Sequence, residues 1–275
     1  MPELPEVETV VRGLRDELCG RKIVSARIKE ATILGYPHDK DEFANTLENK
    51  NITGMSRRGK YIVIELSDEK FLIVHLRMTG KLLIRNSESI LKKHTHAIFR
   101  LDDDRDLRFN NVRKFGRLYL VDQDELEKAG SFSKLGPEPL SDDFDESVLE
   151  EIFAGRKAPV KSVLLDQKKL AGMGNIYSDE ALFRAGIKPD KPAGELSSSE
   201  IKKLYNSIIT VLKAGIKYRG TTFSDYVDAL GESGDFQDEL RVYGREEDSC
   251  PSCGCEIEKE KISGRSSHYC PSCQE

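Results

Sequence analysis

Two residues at the start of the chain could do chemistry together. In Met1-Pro2-Glu3-Leu4-Pro5-Glu6 the small second residue favours removal of the initiator Met, which would leave Pro2 as a secondary amine beside a carboxylate. A chain-terminal amine titrates near pH ~8, against about 10.4 for a Lys side chain, so part of it is neutral and nucleophilic at physiological pH. Such an amine can attack an electrophilic carbon, and Glu3 is close enough to give or take the proton that must move. The same six residues also read as a proline-stiffened tail with solvated acids. The second constellation lies at the other end, where Cys250-x₂-Cys253 and Cys270-x₂-Cys273 are separated by sixteen residues. That spacing fits a tetrahedral Cys₄ zinc site. Four thiolates leave no open coordination position, so one structural ion per chain is expected. Between the pairs, Ser263-Gly264 suit a hairpin turn that would present Arg265 at the tip of a β-ribbon.

Elements must hold these groups in place. Val7, Val10, Val11, Leu14 and Leu18 recur at helical spacing, so a helix over 3–18 would fix Pro2 and Glu3 at its N-terminus. From about 22 to 121 the pattern becomes short β-rich runs: Ile23–Ile28, Tyr61–Leu66, Phe71–Leu76, Lys81–Ile84, Ala97–Leu101 and Arg117–Val121. Turn residues between several of them predict an antiparallel sandwich or barrel. Ser56-Arg57-Arg58-Gly59-Lys60 places three cations beside a strand. Asn110-Asn111-Val112-Arg113-Lys114-Phe115-Gly116 sets an aromatic among basic residues in a loop. Cations around an exposed ring suit a nucleic acid, with phosphates taken by charge and the ring wedged between bases. A solvated turn is the alternative for each loop.

Residues 122–140 read as a linker, after which helices are predicted near 145–154, 158–167, 175–185 and 198–218. Ser197 and Glu200 form a capping box for the last of these. Gly172-Met173-Gly174-Asn175 precedes the third helix, leaving backbone N–H groups for a phosphate or simply a packing corner. Residues 219–240 read as a mobile loop.

At 275 residues the chain is long enough for two domains and a small third piece. Its net charge of −5 hides an asymmetry: residues 56–117 hold fifteen Lys/Arg against eight Asp/Glu, a local +7 that suits phosphate binding. No apolar run approaches a membrane span, and the first residues are acidic where an export signal needs basic ones. A cytoplasmic protein with Cys19 and Cys255 as reduced thiols is expected.

Read together, several of these stretches resemble the formamidopyrimidine-DNA glycosylase family. They are Met1–Thr9, Arg57–Tyr61, His75-Leu-Arg-Met78, Val112-Arg-Lys-Phe-Gly116, Leu135-Gly-Pro-Glu-Pro139, Gly174-Asn-Ile-Tyr177, Val242-Tyr-Gly-Arg245 and the four-Cys tail. The resemblance implies an α+β multidomain fold. An N-terminal β-sandwich carrying the N-terminal helix spans 1–130, a helical helix–two-turn–helix domain 131–235, and a zinc-finger hairpin 236–275. It implies a bifunctional base-excision repair enzyme that flips an oxidised purine, such as 8-oxoguanine or a formamidopyrimidine, out of double-stranded DNA. By the same resemblance Pro2 attacks C1′ and Glu3 protonates the sugar-ring oxygen. Lys60 assists β-elimination and Arg265 assists δ-elimination. Met78, Arg113 and Phe115 fill the gap left by the flipped base, and His94, Lys157, Asn175 and Tyr243 contact DNA. Thr221, Thr222 and Tyr226 lie in the loop that closes over the lesion, and the enzyme is expected to act as a monomer, away from membranes. Two departures stand out: Asn111 replaces the family's usual Asp two residues before Arg113, and Asp228-Ala-Leu-Gly231 has no acid directly before its Gly. Endonuclease VIII-like action on oxidised pyrimidines and a non-catalytic DNA-binding zinc protein are the alternatives.

Overall fold

The computed structural model describes residues 1–223 and 226–275. They form two compact units, one of residues 1–134 with 218–235 and one of residues 135–217 with 236–275.

The first unit begins with α1 (Leu4–Leu18), capped by Glu3 and carrying Pro5 in its first turn. Proline is tolerated there because a first-turn N–H has no intrahelical partner to lose. The backbone N–H of Glu3 instead donates to Glu6 Oε2 at 2.7 Å, the returning half of a capping box. Val7, Val11, Leu14 and Leu18 are fully buried, so the whole apolar stripe faces the core.

Nine strands follow: β1 (Lys22–Ile28), β2 (Leu34–Tyr36), β3 (Lys50–Arg58), β4 (Tyr61–Leu66), β5 (Lys70–His75), β6 (Gly80–Asn86), β7 (Thr95–Leu101), β8 (Arg105–Asn111) and β9 (Arg117–Asp122), with α2 (Lys40–Leu47) before β3. They pair in the order β2-β9-β5-β4-β3-β1-β7-β8-β6. Only Lys22↔Asn51 and Ile23↔Lys50 join β1 to β3, so the sheet turns a corner there. Inward residues of one half (Ile62, Ile64, Leu72, Val74, Leu118, Leu120) share a core with those of the other (Leu82, Ile84, Phe99, Leu107, Phe109) and with α1. That is the sandwich expected from period-2 burial. The edge pair β2–β9 runs parallel, against the antiparallel reading.

The segment 219–240 takes in Ser224 and Asp225, which lie outside the described residues. Of the rest, 218–235 belong to this unit: Tyr226 and Ala229 enter its core, and the N–H of Ile84 donates to the Ala229 carbonyl at 3.3 Å.

The second unit contains α3 (Glu146–Phe153), α4 (Val160–Leu165), α5 (Asn175–Ala185) and α6 (Ser198–Lys217). Both halves of the Ser197/Glu200 capping box form, at 2.9 and 3.3 Å. The unit ends in a hairpin of β10 (Glu258–Ile262) and β11 (Arg265–Tyr269). Ser263 and Gly264 both have positive φ (47° and 81°), the conformation that lets a two-residue turn match the twist of its strands. Among the described residues no helix is long and apolar enough to cross a membrane.

Candidate active site and metal centre

In the first unit, Pro2 and Glu3 are buried at the head of α1 while Met1 is half exposed. Lys60, only 5 % exposed, sits in the β3–β4 turn, where Gly59 has φ +57°. α1 packs on β3 and β4, and one ion pair links the helix to that turn. Glu8 on α1 accepts from Arg57 Nε at 3.0 Å, and Arg57 Nη1 donates to the Gly59 carbonyl at 3.0 Å. Burial works against the Glu8 carboxylate, but the Arg12 and Arg57 guanidiniums outweigh it and hold its pKa below the usual value. The head of α1 is also tied to the returning segment. Glu6 takes the Glu3 N–H with one oxygen and the Thr221 N–H with the other, the latter at 2.8 Å. Tyr226 donates its hydroxyl to the Arg219 carbonyl at 3.0 Å. Its pKa is raised, first by burial and then by the neighbouring Glu6.

Beside this group His75, at the end of β5, stacks edge-on against Tyr61 with ring centroids 4.5 Å apart. Its Nδ1 accepts the Arg77 N–H at 3.0 Å. Burial, then the charges of Arg77 and Lys60, push its pKa down to about 3. The ring is therefore neutral at physiological pH, with its remaining proton on Nε2.

The three residues expected to act as a wedge come together. Met78 (44 % exposed) lies in the β5–β6 turn, and Arg113 and Phe115 (49 % exposed) in the β8–β9 loop. Arg113 lies over the Phe115 ring, 4.8 Å from its centroid, with Nη1 3.3 Å from Met78 Sδ. Two large apolar groups thus stand exposed beside a cation. His94, half-buried just before β7, accepts the Asn111 N–H on its carbonyl at 2.9 Å.

In the second unit, Lys157 is exposed in the α3–α4 connection. Asn175 is the first residue of α5, behind the Gly174 cap. Its amide donates to the Ser266 carbonyl at 2.9 Å, which ties the helix head to the strand that begins with Arg265. Arg265 is exposed at the hairpin tip as expected. Beneath it, Lys161 and Asp179 form a fully buried ion pair at 2.6 Å. Lys161 also donates to Ser266 O and Ser267 Oγ at 2.8 and 2.7 Å. The other Asp179 oxygen takes the His268 N–H at 3.0 Å. Tyr243 packs edge-on against His268, and its N–H, with those of Arg241 and Val242, is accepted by the buried Glu180 carboxylate. Lys60 and Arg265, the two proposed elimination residues, lie in different units.

The sulfurs of Cys250, Cys253, Cys270 and Cys273 all lie within 4.8 Å of one another. The pairs Cys253–Cys270 and Cys250–Cys273 are 3.4 and 3.9 Å apart. A disulfide needs about 2.05 Å, whereas zinc–sulfur bonds of about 2.3 Å imply tetrahedron edges of about 3.8 Å. The four residues therefore fit a zinc ion and nothing covalent. Cys255 stays outside the cluster.

Comparison with known proteins matches these groups in chain order. Residues 1–118 match the formamidopyrimidine-DNA glycosylase N-terminal domain, 135–227 its H2TH domain, and 249–275 the zinc finger found in FPG and IleRS. A formamidopyrimidine-DNA glycosylase of Desulforamulus reducens is 45 % identical over 275 residues, covering 100 % of this chain and 99 % of that one. The chain belongs to the formamidopyrimidine-DNA glycosylase family. Crystal structures of the Lactococcus lactis FPG superpose over 100 % of both chains at 40 % identity. One, a point mutant with Fapy-dG-containing DNA, gives a TM-score of 0.92; another, the wild type with oxidised-pyrimidine-containing DNA, gives 0.91. Membership of the formamidopyrimidine-DNA glycosylase family makes the chain a base-excision repair glycosylase with abasic-site lyase activity.

Several residues around these groups carry no sequence signal of their own. Glu8 and Glu6 act through partners 49 and 215 positions away, Lys161 and Asp179 across a buried pair, and His75 through the Tyr61 ring on the neighbouring strand. Glu6, Glu8 and His75 fall inside stretches quoted for the family resemblance, without a role. The signal that could have found the Lys161 pair is a lysine set among apolar residues, Val160-Lys161-Ser162-Val163-Leu164.

Proposed function

We propose that the Pro2 amine, freed of Met1, excises oxidised purines from duplex DNA and then cleaves the backbone by β,δ-elimination. The observation that carries this reading is the burial of Pro2 and Glu3 at the head of a helix tied to the Lys60 turn by Glu8 and Arg57. A solvated tail needs no such anchoring. In the reaction, the Pro2 nitrogen bonds to C1′ as the glycosidic bond breaks and the base leaves with a proton. Glu3 protonates the ring oxygen, the sugar opens, and a Pro2 iminium remains. The iminium acidifies C2′–H, so loss of that proton expels the 3′ phosphate; loss of the C4′ proton from the resulting conjugated iminium then expels the 5′ phosphate. Proline has no second N–H, so its adduct stays cationic until hydrolysis and keeps promoting elimination. Lys60 holds a phosphate and assists the first elimination, and Arg265 at the hairpin tip assists the second. Met78, Arg113 and Phe115 fill the vacated space, with Arg113 reading the opposite cytosine. His94, Lys157, Asn175 and Tyr243 take the backbone. One zinc per chain on the four Cys holds the hairpin and takes no part in the chemistry. The working partner is duplex DNA with an oxidised base or an abasic site, met by a monomer in the cytoplasm.

The Lactococcus lactis relative has been crystallised with both Fapy-dG and oxidised-pyrimidine DNA, so a pyrimidine lesion is the second substrate class to test. Duplexes with 8-oxoguanine, Fapy-guanine, an oxidised pyrimidine or an undamaged base should be compared under single-turnover conditions. Faster release of the purine lesions, leaving a gap with phosphate at both ends, supports the proposal. Preference for the pyrimidine, or products with one unsaturated sugar end, contradicts it.

A further inference from the structure

We infer that Thr79 is a positioning residue for base excision: its hydroxyl locks the turn that carries Met78 to the loop that carries Arg113 and Phe115. The inference rests on the wedge role proposed for those three residues.

Thr79 follows Met78 and is 7 % exposed. Its Oγ1 donates to Asn111 Oδ1 at 2.9 Å and accepts the Arg113 N–H at 3.1 Å. One hydroxyl has one proton, and here it is committed to Asn111. Its lone pairs are thereby turned toward Arg113. Asn111 is itself immobile: it is fully buried, its N–H donates to His94 O at 2.9 Å, and its carbonyl meets His96 Nε2 at 3.0 Å. On its far side a Cβ on Gly116 would come within 2.4 Å of Asn111 Nδ2, so the loop closes tightly over the amide. That Nδ2 is buried without a hydrogen-bond partner. Flipping the amide does not relieve this. Nδ2 would then donate to Thr79, the Thr79 proton would lose its acceptor, and Oδ1 would become the orphan.

The two turns need such a bolt. Arg77 and Lys114 both hold positive φ, +54° and +53°, which costs any residue with a side chain. The first turn is closed by Gly80 N–H to Leu76 O at 2.9 Å. Between the wedge side chains themselves the polar link is the exposed Arg113–Met78 sulfur contact, a weak acceptor at the surface. Other bonds brace each turn from within, such as Arg117 Nη1 to the Lys114 carbonyl at 2.9 Å; the buried Thr79 bonds tie the two turns to each other before DNA arrives.

A wedge matters for extruding a base and not for an abasic site, which has none to extrude. Thr79→Val keeps the shape and removes the hydroxyl. Its kcat for 8-oxoguanine excision from duplex should fall about tenfold, a misplacement effect on positioned groups, with KM near native. Cleavage of a preformed abasic site should stay within about twofold, and preference for cytosine over adenine opposite the lesion should weaken. Thr79→Ser should restore all three. Thermal unfolding is measured alongside, and Thr79→Ala carries the comparison if the Val variant does not fold. Native excision by Thr79→Val or Thr79→Ala, or equal losses on both substrates, overturns the inference. Phe115→Ala is the control: if it excises as well as native protein, the wedge reading itself has failed, whereas loss in Phe115→Ala alone removes only the role of Thr79.

Discussion

Each unit carries a cation in or directly beside a two-residue hairpin turn, and the two hairpins are stabilised in opposite ways. Lys60 follows Gly59 in the β3–β4 turn, deep in a nine-stranded sheet, and is buried. Arg265 follows Gly264 in a two-stranded ribbon and is exposed. The first turn inherits its rigidity from the sandwich core and the Glu8–Arg57 link. The second has a small apolar cluster of Val242, Cys250, Ile257 and Cys270, too little to hold two strands in water. It depends instead on the metal and on the Lys161–Asp179 pair beneath it. A two-residue hairpin connection therefore needs a core in one place and coordination chemistry in the other.

The largest asymmetry should follow metal removal. Chelation, or Cys270→Ser, should release one zinc, disorder β10 and β11 and abolish tight DNA binding, because a finger folds on its metal. The sheet of the first unit should keep its amide-exchange protection. Loss of protection around Tyr61–Leu66 on chelation would erase the distinction between the hairpins.

Next in size is Lys161→Ala. It strands the Asp179 carboxylate in a fully buried site, and breaking a buried pair costs about 3–5 kcal/mol. Thermal unfolding of the second unit should drop accordingly, while Lys161→Met with Asp179→Leu together should recover much of it. Failure of the double variant to recover would mean that the bonds of the pair to Ser266, Ser267 and His268 carry the stability.

A smaller effect should separate the units by pH. His75 is held neutral, with its pKa lowered to about 3 by burial and then by Arg77 and Lys60. In the unfolded chain it titrates near the ordinary histidine value of about 6.5. Between these values the unfolded state binds the extra proton, so stability falls as pH drops from about 6.5 toward 3. The loss amounts to a few kcal/mol at most. His75→Gln should flatten this part of the pH–stability curve without touching the second unit. An unchanged slope would place the acid sensitivity elsewhere.

The same comparison explains what could be read in advance. α1 and α6 were legible because their apolar residues recur at helical spacing, α3, α4 and α5 as helical stretches after the linker, and six strands as short β-rich runs between turn residues. β3 was not, since a register shift between Ile52 and Gly54 breaks its alternation. β8 was hidden by composition: Asp106 and Arg108 are buried as a hydrogen-bonded pair, which hydropathy patterning counts as surface. The four Cys announced their site because ligand spacing is local. Thr79, Glu6 and Asp179 stayed silent because each matters through partners that are distant in sequence.

The smallest expected change in fold accompanies the most complete loss of chemistry. A chain that keeps Met1, or carries an N-terminal tag, turns the Pro2 nitrogen into an amide with no usable lone pair. Binding should survive, since Arg113, Asn175 and the finger are untouched. With 8-oxoguanine duplex and borohydride, native protein should form a covalent adduct whose modified peptide begins at Pro2, and the blocked chain should form none. A blocked chain that traps and cleaves like the native one would move the nucleophile to another amine and contradict the nucleophilic role of Pro2.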